Sequence, residues 1–153
     1  MIRRALLTIA FLVLVAGVVP AAPKTSDTKV KATVSASKLD SSGKQTIEIT
    51  LKIDEGWHLY ANPNTEDFKD SQVVVTASAA GKRLEPTVDY PKGKLVPPKG
   101  NLPAYYTYEG TVTIKMTVDR SKGGSNAVDL NITVYACDAT TCLLGGEIKL
   151  QVP

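Results

Sequence analysis

The chain is poor in the residues most metal and hydrolytic sites need. Its 153 residues include two cysteines, one histidine, one tryptophan and two phenylalanines. Two cysteines and one histidine do not supply four zinc ligands, and their spacing follows no standard zinc pattern. No cofactor or metal is therefore expected. With no second histidine and no nucleophile motif, a hydrolase has little support. Charge of one sign is not in marked excess: 18 Lys and Arg stand against 15 Asp and Glu. Two of the basic residues, Arg3 and Arg4, lie at the extreme N-terminus, so the remainder is close to neutral. No electrostatic footprint for nucleic acid or anionic lipid is present.

Long apolar runs are also missing, apart from Ala5 to Val19. That run follows Arg3 and Arg4 and ends in Val19-Pro20-Ala21, small residues at offsets that suit signal peptidase. Residues 1–21 are read as a cleaved secretory signal, which is too short for a membrane span and is followed by polar sequence. No cysteine follows the run, which argues against a lipidated N-terminus there. The expected product is exported, periplasmic or equivalent, with no membrane span in the mature chain. Residues 22–28 are expected to be a disordered lead-in, and 29–153 one domain. Cysteines in an oxidising compartment can pair.

What is present is strict alternation. Val30, Ala32, Val34 and Ala36 alternate with polar neighbours, as do Ile47 to Ile53, Val73 to Ala77, Val112 to Val118, Leu130 to Ala136 and Ile148 to Val152. Leu84 to Tyr90 is weaker, with Pro86 marking an edge or a strand end. A period of two means half-buried antiparallel strands. Turn signals fall between them at Ser41-Ser42-Gly43, Ala80-Gly81-Lys82 and Ser121 to Asn126. Seven or so short strands with one apolar face each predict an all-β, immunoglobulin-like antiparallel β-sandwich. A small barrel is the alternative. Two segments break the pattern: Asp54 to about Asp70, and Pro91 to Tyr108, which has four prolines in its first thirteen residues. The second is not expected to be a regular central strand. Long irregular loops are often functional.

Both cysteines lie near the C-terminus, in Val134-Tyr-Ala-Cys137-Asp-Ala-Thr-Thr-Cys142. Carried forward, the alternation puts Cys137 on the face of Tyr135 and Thr133, away from the core. Asp138 to Thr141 would turn, and Cys142 would oppose Cys137 within disulfide reach. A bridge closing so small a loop stabilises by only about 2 kcal/mol in the chain-entropy model. The fold can lose such a bond cheaply, which suits a redox centre, yet spacing alone leaves a structural staple open. Asp138 would raise a neighbouring thiol pKa. His58 is either a half-buried strand-end residue or a neighbour of the cysteines. Trp57 and Tyr60 are either packing residues or part of the site.

Gly56-Trp57-His58-Leu59-Tyr60, followed some eighty residues later by Val134-Tyr135-Ala136-Cys137-x4-Cys142, resembles the N-terminal periplasmic domain of the thiol:disulfide interchange protein DsbD family. Tyr106-Thr-Tyr-Glu-Gly-Thr-Val-Thr-Ile114 resembles that family's penultimate region. The resemblance spans about residues 28–153. It implies a sandwich with one redox-active pair, in which Cys142 forms mixed disulfides and Cys137 resolves them. It implies electrons from a thioredoxin-like donor or a membrane electron carrier, passed to exported disulfide proteins and cytochrome c maturation factors. The family's later membrane and thioredoxin-like domains do not follow Pro153, so the donor is expected on a separate chain. A cap loop is expected within Leu95–Tyr106, with Leu102, Tyr105 or Tyr106 as the covering side chain. One departure stands out. Many members have a proline soon after the second cysteine, where this chain has Leu143-Leu144-Gly145-Gly146. Two glycines there permit a bulge or a looser return strand.

Overall fold

The alternating segments are strands, and their apolar faces meet. The computed structural model describes residues 23–121 and 126–153. The expected signal peptide and most of the turn at Ser121 to Asn126 lie outside them. One sheet has the order β1 (Val30–Ala36), β2 (Lys44–Ile53), β9 (Thr111–Asp119), β6 (Thr87–Asp89). The second has the order β12 (Gly146–Val152), β10 (Val128–Val134), β4 (Val74–Ala79), β5 (Lys82–Leu84). The pairs are antiparallel throughout, with Ile47 opposite Met116 and Ile49 opposite Ile114 in the first sheet. Leu130 faces Leu150 and Ala77 in the second. Ile47, Ile49, Leu51, Ile114, Met116, Val118, Leu130 and Ile132 are fully or almost fully buried in one core. Each such side chain contributes about 1.5–3 kcal/mol. The chain is an immunoglobulin-like β-sandwich, as its periodicity predicts.

A third small sheet sits beside these two, which the alternation does not announce. Its order is β11 (Ala136–Cys137), β3 (His58–Tyr60), β8 (Tyr105–Tyr108), β7 (Lys94–Val96). It is built from the two irregular segments and the cysteine motif. Tyr105–Tyr108, the end of the proline-rich segment, is therefore a central strand, paired with β3 on one side and β7 on the other. The prolines lie before it, where no ladder donor is needed. Pro86 does mark a boundary. The stretch Leu84 to Tyr90 splits there into β5 and β6, edge strands of different sheets.

The turns follow their chemistry. Asp40 Oδ1 accepts from the backbone N–H groups of Ser42 and Lys44 at 2.8 and 2.9 Å, and Gly43 takes φ +78°. Ala80 and Gly81 both have positive φ, the form of a two-residue type I′ hairpin between β4 and β5.

Residues 25–28, expected to be part of a disordered lead-in, are docked instead. Thr25 bridges to Leu144, and Ser26–Lys29 form a 3-10 turn with Ser26 fully buried. The polar composition that suggested disorder hides one side chain with two backbone partners.

Candidate functional site

Cys137 lies in β11, opposite His58 of β3, with Ala136 opposite Leu59. Cys142 returns across the turn, bridges to Cys137 as an antiparallel pair and is joined to it by a disulfide, with Cα atoms 4.0 Å apart. The pairing of Cys137 with Cys142 is as expected, but the burial of Cys137 is not. Alternation puts it on the outer face, whereas Cys137 is only 2% exposed. The chain leaves the second sheet after Val134 and enters the third at Ala136, with Tyr135 unpaired between them. The change of sheet resets the face, so Ala136 and Cys137 are both buried. Cys142 is exposed. The pair is therefore asymmetric: one residue is exposed and the other buried.

The turn between them is held by one carboxylate. Asp138 Oδ1 accepts from the N–H groups of Thr140 and Thr141, each at 2.7 Å, and from the Thr140 hydroxyl at 3.0 Å. These backbone and side-chain donors hold the Asp138 carboxyl below the usual carboxylate range, with a smaller contribution from nearby His58. Asp138 is thus an ionised turn residue beside the pair. A fixed negative charge there disfavours a second one on a neighbouring sulfur.

Tyr60 reaches Cys137 from β3. Its hydroxyl lies 3.6 Å from Cys137 Sγ. A disulfide sulfur carries no proton, so the phenol is the donor. Burial, then the Tyr105 hydroxyl, push the Tyr60 pKa up, so it remains a protonated donor. His58 is on the same face of β3 as Tyr60, with ring centroids 6.1 Å apart, edge to face. Burial pulls the His58 pKa below 6.5, against weaker opposite effects from Glu109 and Asp138. A neutral imidazole at neutral pH brings no cation to a thiolate.

Phe68 completes the surround, and sequence reasoning missed it. It stacks on Tyr60 at 5.1 Å and packs on Tyr105 at 4.8 Å, while Tyr105 lies 5.6 Å from Tyr60 and 6.4 Å from His58. Phe68 comes from a 3-10 turn at Glu66–Ser71, inside the first irregular segment. An aromatic residue in an otherwise polar loop was the available signal.

The three residues expected to supply a cap within Leu95–Tyr106 are not brought together. Tyr105 joins the cluster, but Tyr106 lies on the other face of β8, packed against the core like Tyr108. Leu102 sits exposed in a turn closed by mutual backbone hydrogen bonds with Lys99, both 3.0 Å. Trp57 is not drawn to the cysteines either. It packs against the core, with the Lys29 ammonium 4.8 Å above its ring.

The two glycines after Cys142 have a reason other than looseness. A Cβ on Gly145 would lie 2.8 Å from Cε1 of Tyr135, so the glycine admits the Tyr135 ring. A Cβ on Gly146 would overlap the backbone of Asp27. Both are points of close approach, and the return strand is packed at each. Among the described residues, no group of three or more His, Cys, Asp or Glu is placed to hold a metal ion.

The site is thus a buried half-cystine and an exposed half-cystine joined across a short turn. The family described as "Thiol:disulfide interchange protein DsbD, N-terminal" matches residues 24–151. The chain belongs to the DsbD N-terminal family. Solved structures give the same fold. The N-terminal periplasmic domain of ScsB from Proteus mirabilis superposes with a TM-score of 0.61 at 15% identity, covering 84% of this chain. The chain spans about half of that relative, 48% of its length. The DsbD N-terminal domain of Neisseria meningitidis, in its reduced form, superposes with a TM-score of 0.50 at 12% identity, covering 82% of this chain and 86% of that one. No curated protein matches the chain. The DsbD N-terminal assignment makes thiol:disulfide interchange the family chemistry, and the chain carries a cysteine pair at disulfide distance. Among the described residues, no helix is long and apolar enough to cross a membrane.

Proposed function

We propose that the domain is exported and passes reducing equivalents from a thioredoxin-like donor, or a membrane electron carrier, to exported disulfide proteins. Cytochrome c maturation factors are among the acceptors the family reading implies. The observation that carries the proposal is the asymmetric pair, exposed Cys142 joined to buried Cys137, in a member of the DsbD N-terminal family.

The chemistry balances as two successive displacements. In the reduced domain, the Cys142 thiolate attacks one sulfur of the acceptor disulfide. A mixed disulfide forms and the acceptor's other sulfur leaves as a thiolate. The Cys137 thiolate then attacks Cys142 Sγ, which forms the intramolecular disulfide and releases the acceptor's second sulfur. Two electrons pass from the domain to the acceptor. The donor reverses the sequence through its own dithiol. Tyr60 supports the resolving step, since its hydroxyl can donate to a thiolate on Cys137 where it now meets the sulfur. Tyr60, Phe68, Tyr105 and His58 limit access to Cys137 and leave Cys142 as the point of attack.

The test is stopped-flow mixing of the oxidised domain with a reduced thioredoxin-like protein, and separately with glutathione at equal thiol concentration. Reduction far faster by the protein donor supports the reading. Equal rates would remove the case for a protein donor.

A further inference from the structure

The ladder of the cysteine hairpin has a break, and the N-terminal segment fills it. Val134 of β10 pairs with Gly146 of β12, and further along Cys137 pairs with Cys142. One arm takes three steps between those pairs and the other takes four, so the register shifts by a residue and the two arms cannot satisfy each other throughout. Leu143 N–H donates to Ala136 O at 2.9 Å. The Ala136 N–H and the Leu144 carbonyl find their partner in Ser26. The Ser26 hydroxyl accepts from Ala136 N–H at 2.8 Å and donates to Leu144 O at 2.7 Å, and the Ser26 N–H donates to the same carbonyl at 2.9 Å. Ser26 is 0% exposed. Ala136 immediately precedes Cys137, and Leu144 lies two residues beyond Cys142. A single buried hydroxyl therefore joins both arms just outside the disulfide. Gly146 makes room for the segment, since a side chain there would overlap Asp27.

We propose that residues 25–29 are a strap that holds Cys137 and Cys142 in register when the pair is reduced, with Ser26 as the positioning residue. The Asp138 contacts lie between the cysteines and fix the turn. Within the hairpin, Asp138 N–H donates to Thr141 O and Leu143 N–H to Ala136 O, both at 2.9 Å. The Ser26 contacts tie the arms together from outside the hairpin, where its own ladder is broken, and they use no atom of either sulfur, so they survive cleavage of the bond. An unpaired buried amide or carbonyl would favour splayed arms that reach water. The strap thus raises the effective concentration of one thiol at the other and stabilises the disulfide against its dithiol.

The inference rests on the reading of Cys137 and Cys142 as a reversible pair, and its test is separable from that reading. The equilibrium is one protein disulfide plus two glutathione thiols giving the protein dithiol and one glutathione disulfide, with two electrons and two protons passing to the protein. The wild-type constant speaks to the exchange reading; the change between variants speaks to the strap. Ser26→Ala is expected to move the constant toward dithiol by about tenfold, equivalent to about 30 mV upward in potential. Gly146→Ala, which displaces the strap through Asp27 and keeps every Ser26 partner, moves it the same way. A purely structural serine would lower the unfolding stability of both redox forms equally and leave the constant unchanged, which would overturn the proposal. Hydrogen exchange on the wild-type domain serves if neither variant folds. The Ala136 amide remains protected in the reduced form if the strap holds, and exchange as fast as an open loop on reduction would contradict it.

Discussion

Cys142→Ser is expected to abolish disulfide exchange, and Cys137→Ser to leave a domain that attacks acceptors and remains covalently bound to them. The difference follows from exposure. Cys142 is exposed, and Cys137 is 2% exposed, paired beside β3 with the Tyr60 hydroxyl on its sulfur. A thiolate must reach an acceptor sulfur to displace its partner, and only Cys142 has that access. Once Cys142 is joined to the acceptor, resolution requires the sulfur already 4.0 Å away at Cα, so its removal traps the intermediate. Neither serine should unfold the domain, because the six-residue loop accounts for only about 2 kcal/mol in the chain-entropy model. Non-reducing gels with a disulfide-bonded acceptor read both outcomes. Wild-type exchange by Cys142→Ser, or trapping by that variant instead of Cys137→Ser, would reverse the assignment.

The largest stability effect is expected at Tyr108. Its side chain is almost fully buried in the core, and its hydroxyl lies 2.8 Å from both Asn62 O and Pro91 O while accepting from Asn62 N–H at 3.2 Å. One residue thus fills the interior under the third sheet and ties together the two irregular segments that form it. Tyr108→Ala empties that space and orphans the carbonyls, with an expected loss of about 3–5 kcal/mol. Tyr108→Phe keeps the ring and should cost about 1–3 kcal/mol. Against a typical domain stability of about 5–15 kcal/mol, the alanine variant is marginal and the phenylalanine variant folds. Urea unfolding midpoints of the two separate the ring from the hydroxyl. Equal losses would assign everything to the hydroxyl, and a loss under about 1 kcal/mol for alanine would contradict the packing described.

Alternation reports which residues face a core only while a strand stays in one sheet. It places Ile47, Ile49, Leu51 and Ile53 correctly, and likewise Leu130, Ile132 and Val134, because β2 and β10 are long and paired on both sides. It fails at Cys137 because a change of sheet at Tyr135 leaves no mark in a periodic pattern. The third sheet is illegible for a related reason. Its strands are two to four residues long, too short to show a period. Of the site, the cysteines, Tyr60, His58, Tyr105 and Asp138 were legible from motif spacing and resemblance. Ser26 and Phe68 were not. Each works through a contact made far away in sequence: Ser26 bonds Ala136 and Leu144, and Phe68 stacks on Tyr60 and Tyr105. The role of Gly145 and Gly146 was hidden likewise, since their neighbours Tyr135 and Asp27 appear only once the chain has folded.

The central claim is that Cys137–Cys142 is a working redox pair and not a staple. Its reduction potential tests this most directly, measured by equilibrating the purified domain in thiol buffers and quantifying free thiols. A potential within the range of exchange proteins, about −270 to −120 mV, reached rapidly, is what the account predicts. A potential below about −300 mV with slow equilibration would make the bond structural and contradict it.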